Sequence, residues 1–263
     1  MNNSLQKKSF RIHKLPHRVA MGQDAAADVS RAIASLLEQK PTINMIFAAA
    51  PSQNEFLDAL VCDNTIDFSR INAFHMDEYI GLSKQAPQRF GNYLYEHLFS
   101  RVPFAAVHYI DYSAQNPEAE CERYATLLRE NPPDIVCMGI GENGHIAFND
   151  PHVACFHDDK LVKVVTLDEV CRQQQVNDGC FATLADVPQK AITLTIPALM
   201  SAAHHFCIVP SHNKAQAVYT TVYGPIAESC PASAIKMGAD VTLYLDTDSG
   251  SHIFDTEAAQ CSV

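Results

Sequence analysis

Seven short apolar runs recur along the 263 residues, and helical patterns separate several of them. This alternation constrains the fold more than any other feature. The runs are "TINMIFAAA" (42–50), "RINAFHM" (70–76), "DIVCMGI" (134–140), "LVKVVTL" (161–167), "KAITLTI" (190–196), "HHFCIVP" (204–210) and "DVTLYLD" (240–246). An amphipathic helix is predicted over 24–39, begun by Asp24, with Ala26, Val29, Ile33, Leu36 and Leu37 on one side. Further helices are predicted at 53–61, 89–99, 117–130, 168–176 and 213–221, with "NPPD" (131–134) as a clear break between elements. Strands alternating with helices indicate an α/β fold with a mostly parallel sheet covered by helices on both faces. No internal repeat, low-complexity tract or long linker divides the chain, so a single domain over 1–263 is expected.

Composition removes several classes of function. A net charge of −11 argues against nucleic acid as a partner, because phosphate-backbone binding needs clustered Lys and Arg. No apolar run approaches the roughly 18 to 20 residues of a membrane span. The amino-terminal segment "MNNSLQKKSFRIHKLPHRVAMG" has no apolar core of a secretory signal. Nine scattered cysteines form no C-x-x-C pair and no even framework, as expected for reduced thiols in a cytoplasmic protein.

In open α/β sheets, ligands bind beyond the carboxyl ends of the strands. Three places follow: Pro51-Ser52-Gln53-Asn54 after the first run, Asp77-Glu78 after the second, and "GIGENGHIAFNDP" (139–151) after the third. Ser, Asn and Asp also cap helices and make turns, so each place has a purely structural reading too. The first six letters of the long loop satisfy G-x-G-x-x-G, but a dinucleotide fingerprint should open a helix at its last glycine. Here Gly144 leads into His145 and soon into Pro151, and the unit lies mid-chain, so the nucleotide reading is set aside. His145, Asp150, His152, His157, Asp158 and Asp159 match no zinc spacing and are read as a solvated acidic loop. His204 and His205 begin an apolar strand and are read as structural.

"FHMDEYIGL" (74–82) together with the 139–151 loop resembles the glucosamine-6-phosphate deaminases, within the broader family shared with 6-phosphogluconolactonase. Lys214 in "PSHNKAQAV" fits as well, so the resemblance covers nearly the whole chain. It implies a three-layer α/β fold related to ribose-5-phosphate isomerase and the CoA transferases, with no metal or nucleotide cofactor and a small sugar phosphate as partner. It also implies that Asp77 is the base that shuttles the C2 proton and that His145 handles the ring oxygen and anomeric hydroxyl. Asp150 falls where the family places a glutamate that orients the histidine, and Asn143 where some relatives have aspartate.

Phosphate binding is where the chain departs most. The family carries a Thr-Gly-Gly-Thr-Pro type turn whose N–H groups hold phosphate at a helix N-terminus. This chain has Ala48-Ala49-Ala50-Pro51-Ser52-Gln53-Asn54, without glycine. Gln175 lines up with the usual arginine, and Arg172, one turn earlier, is the candidate substitute. Ser52, Gln53, Gly144, Arg172 and Lys214 are therefore the expected substrate and phosphate contacts. The leading expectation is an amino-sugar-phosphate deaminating isomerase. Its alternatives are a lactonase-like hydrolase and a sugar-phosphate-binding protein of the same fold that lacks turnover. A homo-oligomer is left open.

Overall fold

The structure, a computed structural model, describes residues 9–254; residues 1–8 of the amino-terminal segment and Cys261 lie outside the described residues. The chain runs through β1 (Ser9–Leu15), α1 (Arg18–Leu37), β2 (Ile43–Phe47), α2 (Asn54–Val61), β3 (Ile71–His75) and a three-residue strand, β4 (Asp77–Tyr79). Next come α3 (Phe90–Leu94), which widens into a π turn over Tyr95–Phe99, then β5 (Ala106–His108), α4 (Pro117–Glu130) and β6 (Ile135–Met138). The remainder is β7 (Val162–Thr166), α5 (Glu169–Asn177), β8 (Lys190–Leu194), α6 (Ile196–Met200), β9 (His204–Val209), α7 (Ala215–Tyr223) and β10 (Asp240–Asp246).

Seven strands form a parallel sheet in the order β1-β10-β9-β6-β2-β3-β5. Alternate residues of its central strands feed two separate cores, because successive side chains of a strand point to opposite faces. On one face Val136, Met138, Cys207, Val209 and Leu243 pack with Tyr124 and Leu128 of α4, Leu199 of α6 and Val218 of α7. On the other, Ile135, Cys137, Met45, Phe47 and Ile208 pack with Val29 and Ile33 of α1, Phe56 and Leu60 of α2, and Leu94 of α3. Helices therefore cover both faces, as the alternation of elements predicts.

The structure corrects three expectations. The runs at 161–167 and 190–196 are strands, but they leave the parallel sheet and build a second, antiparallel one in the order β4-β8-β7. An apolar run states that a strand is buried, not which way its neighbour points. Asp77-Glu78 is not a loop after a strand but part of β4, with Asp77 opposite Thr193. Helix α1 begins before Asp24: His17 is its N-cap, accepting from the Ala20 N–H, while Asp24 sits a turn and a half inside and meets His13 Nδ1 at 2.6 Å. Among the described residues eight cysteines are free thiols, and no helix is long and apolar enough to cross a membrane.

Gly22 lets α1 lie directly on α2. A β-carbon there would fall 2.6 Å from the Glu55 carbonyl carbon and 2.7 Å from the Phe56 nitrogen, both backbone atoms that cannot swing aside. Gly→Ala in a helix otherwise gains about 1 kcal/mol, whereas overpacking costs about 1–3 kcal/mol. Gly22→Ala is predicted to destabilise the protein in urea unfolding despite its better helix propensity.

Candidate active site

Strand β3 ends at His75, and after Met76 the chain re-enters a sheet as β4, which places two adjacent carboxylates on opposite sides of one buried strand. Glu78, fully buried, accepts from the N–H groups of Tyr79, Phe90 and Gly91 at 2.9–3.1 Å, and Arg89 Nη2 lies 3.5 Å away. Burial raises its pKa, and those N–H groups and the Arg89 charge offset only part of the rise. Asp77 differs: it is 5 % exposed, and its carboxyl oxygens engage no hydrogen bond among the described residues. Burial first, and then the neighbouring Glu78 charge, hold this carboxyl well above the usual aspartate range. His75 braces the strand. Burial lowers its pKa to about 4, so the ring is neutral, with Nδ1 donating to the Asp77 carbonyl at 2.8 Å and Nε2 accepting from the Ile110 N–H at 3.0 Å.

The 139–151 loop is wound around one imidazole. Gly141 lies against the His145 ring so closely that a β-carbon would sit 2.1 Å from it. Asn143 Oδ1 accepts from the His145 backbone N–H at 3.0 Å, while its Nδ2 donates to Asp150 Oδ1 and Asp168 Oδ2, both at 3.0 Å. Those partners fix which end of the amide is oxygen. His145 Nδ1 lies 2.8 Å from that same oxygen and 3.3 Å from Asp150 Oδ1, so Nδ1 carries the proton. The other nitrogen, Nε2, engages no hydrogen bond among the described residues. Asp150 is fully buried; burial pushes its pKa up, but the contacts with His145, Asn143 and the Asp168 N–H outweigh it and the net shift is downward. Asn143 thus supplies the neutral orienting bond, and Asp150 supplies the charge that an amide cannot.

Asp77 and His145 line the same cavity, together with Ser52, Gln53, Gln174 and Gln175. It encloses about 60 Å³, and a neighbouring space of about 310 Å³ shares Ala49, Ala50, Phe90 and Gln175 with it. Gln53 is buried with Nε2 donating to the Ile208 carbonyl at 3.2 Å, which leaves its oxygen without a partner. Among the described residues no Lys or Arg lines the cavity.

Two expected contacts are corrected. Arg172 is spent on the carbonyls of Leu184 and Val187, so its guanidinium pins the turn after α5 and does not reach the cavity. Gly144 faces away. Its φ of +81° makes the turn, and a β-carbon there would meet Cys230 Sγ at 3.0 Å. Lys214 is not among the lining residues; it is 4 % exposed, its Nζ has no hydrogen-bond partner among the described residues and lies 3.9 Å from Glu142 Oε1, and burial lowers its pKa.

Three contributors escape the sequence reading. Gln174 lines the cavity and accepts from the Glu142 N–H at 2.8 Å. Phe90 forms part of its wall. Asp168 both caps α5, accepting from the Cys171 N–H, and holds Asn143. An aspartate just before a helical pattern signals a cap, but not the second partner. Among the described residues the ligand-type atoms of His145, Asp150 and Cys171 lie within 4.8 Å of one another, as do those of Asp150, His152 and Asp168. In the first group Asp150 is engaged with the imidazole, and in the second His152 Nε2 meets the Thr166 carbonyl at 2.9 Å.

An α/β sheet whose strand ends bring a sheltered carboxyl of raised pKa and an oriented imidazole to one cavity is equipped for proton transfer. The chain belongs to the family described as glucosamine-6-phosphate isomerases/6-phosphogluconolactonase, whose pattern matches residues 16–244. It is 35 % identical over 209 residues to a glucosamine-6-phosphate deaminase of Listeria monocytogenes serotype 4a, covering 80 % of this chain and 87 % of that one. A Streptococcus pneumoniae (strain 70585) protein of the same name is 34 % identical over 201 residues, covering 76 % and 83 %. Among solved structures, a monomeric glucosamine-6-phosphate deaminase superposes with a TM-score of 0.83 at 29 % identity, covering 92 % of this chain and 99 % of that one. The 6-phosphogluconolactonase of Thermotoga maritima shares the fold, with a TM-score of 0.74 at 21 % identity over 90 % of this chain and 99 % of that one.

Gly141→Ala is predicted to leave the fold intact by circular dichroism while lowering turnover on the order of 100-fold. The added carbon must push the imidazole aside, and a displacement of about 1 Å carries that effect.

Proposed function

We propose that the protein converts a 2-amino-2-deoxyhexose 6-phosphate and water to the ketose phosphate and ammonia. The observation that carries this reading is Asp77: a buried carboxyl without a hydrogen-bond partner, opening on the same cavity as the unengaged Nε2 of His145. Nε2 takes the anomeric hydroxyl proton as the C1–O5 bond breaks and returns it to O5, giving the open chain. Asp77 removes the C2 proton and delivers it to C1, while a proton from the amine nitrogen passes to O1. The resulting C2 imine adds water and expels ammonia, so atoms balance with no redox step. A general acid–base group works best when its pKa lies near the operating pH, and the burial that raises Asp77 moves it in that direction. Lactone hydrolysis has no carbon-bound proton to remove and gives Asp77 no such task. Ammonia release from glucosamine 6-phosphate against hydrolysis of 6-phosphogluconolactone separates the two activities.

Asp77→Asn is expected to reduce ammonia release by about 10²- to 10⁴-fold. It should also stabilise the protein. The folded-state pKa of Asp77 lies above its unfolded value, so the unfolded chain gives up the proton first as pH rises from the ordinary aspartate range, and stability is lost through that window. Melting curves should therefore show the variant more stable than the parent at neutral pH, and the difference should vanish below the unfolded pKa. An equal difference at both pH values would contradict the assignment.

For the phosphate, Lys214 is the proposed anchor, since its buried ammonium has no hydrogen-bond partner and Arg172 is already engaged. Hydrogen bonds to charged groups contribute about 1.5–3 kcal/mol. Lys214→Ala should weaken a phosphorylated ligand by roughly 10- to 150-fold and its unphosphorylated counterpart hardly at all, measured by calorimetry. Equal losses for the two ligands would remove Lys214 from this role.

A further inference from the structure

A second cavity, of about 480 Å³, shares no lining residue with the catalytic one; Arg89, Asn92, Tyr95, Tyr109, Asp111 and Tyr112 line it. Its chemistry is specific. Tyr95 and Tyr109 are 57 % and 37 % exposed, and aromatic rings left open around polar groups mark binding surfaces. Arg89 is 6 % exposed, with its guanidinium stacked 3.3 Å over the Tyr112 ring and its Nε without a partner. Its charge faces the buried Glu78, and Asp111 on the rim adds a second carboxylate, so the cavity has no excess positive charge for an anion. Asn92 Nδ2 and the Arg89 guanidinium are already engaged with the Lys84 and Ala86 carbonyls and with Glu78, so the open aromatic faces of Tyr95 and Tyr109 and the Asp111 carboxylate are what the cavity offers, and together they suit a ring with apolar C–H faces and a rim of hydroxyls.

The cavity also touches the back of the catalytic strand by two short routes. Arg89 and Gly91 both contact Glu78, the residue after Asp77. Ile110, which lines the cavity, donates its N–H to His75, whose other nitrogen holds the Asp77 carbonyl. We propose that this cavity binds a neutral monosaccharide ring and that its occupancy alters turnover through β4. Binding stands independently of the reaction; the coupling rests on Asp77 acting as proposed above.

Methyl glucoside and methyl galactoside are suitable probes, because a blocked anomeric carbon and the lack of an amine prevent turnover. The chain has nine Tyr and no Trp, so tyrosine emission reports directly on such a site. Titrating the full chain should give a saturable change with at least one glycoside. Tyr95→Ala should weaken it roughly two- to tenfold, the range for loss of one aromatic contact, and Asp111→Asn should weaken it too. At saturation the kcat for ammonia release should change, with Tyr95→Ala requiring proportionally more sugar. The proposal is overturned by the lack of any saturable response in the parent, or by an affinity unchanged in both variants. It is equally overturned if inorganic phosphate occupies the cavity in place of the sugars, or if the parent self-associates by light scattering in a way that Tyr95→Ala abolishes. Saturable binding with kcat unaltered removes the coupling.

Discussion

Two carboxylates are adjacent in one buried strand, and only one of them is satisfied. Glu78 takes three backbone N–H groups and the proximity of Arg89; among the described residues the Asp77 carboxyl takes none. This asymmetry organises the surrounding elements. The N–H groups that Glu78 accepts include those opening α3, so the helix is positioned by the same residue that presses charge on Asp77. A group left unsatisfied in a folded protein costs stability, and such costs are retained where they serve chemistry.

His145 shows the complementary arrangement. Its orientation is over-determined: Gly141 leaves the room the ring fills, Asn143 accepts from Nδ1, and Asp150 and Asp168 hold Asn143. The shorter aspartate at 150 still reaches the imidazole at 3.3 Å. The reach comes from the loop's tight turns, including positive φ at Gly144 and Ala147. Among the described residues Asp77 is thus left without side-chain partners, whereas His145 is held by several.

Much of this was legible in the sequence. Apolar runs located seven strands of the two sheets, and the Asp77 and 139–151 segments both reach the cavity. β1, β4 and β5 were not legible: β1 lies in a basic segment read only for targeting, and β4 and β5 are three residues long, below the length at which a period can be recognised. Nor could spacing reveal that Arg172 spends its guanidinium on carbonyls of the turn after α5, because that depends on how the chain folds back after the helix. Side-chain partners far apart in sequence, such as Asn143 with Asp168, remain invisible to any local pattern.

In the proposed reaction a single sheltered carboxyl, Asp77, carries the proton from C2 to C1. Turnover of glucosamine 6-phosphate labelled with deuterium at C2 tests it most directly. With the carboxyl 5 % exposed, part of the label should reappear at C1 of the ketose phosphate, and none should be transferred by Asp77→Asn. Complete loss of the label to water in the parent, or undiminished transfer in the variant, would contradict the account.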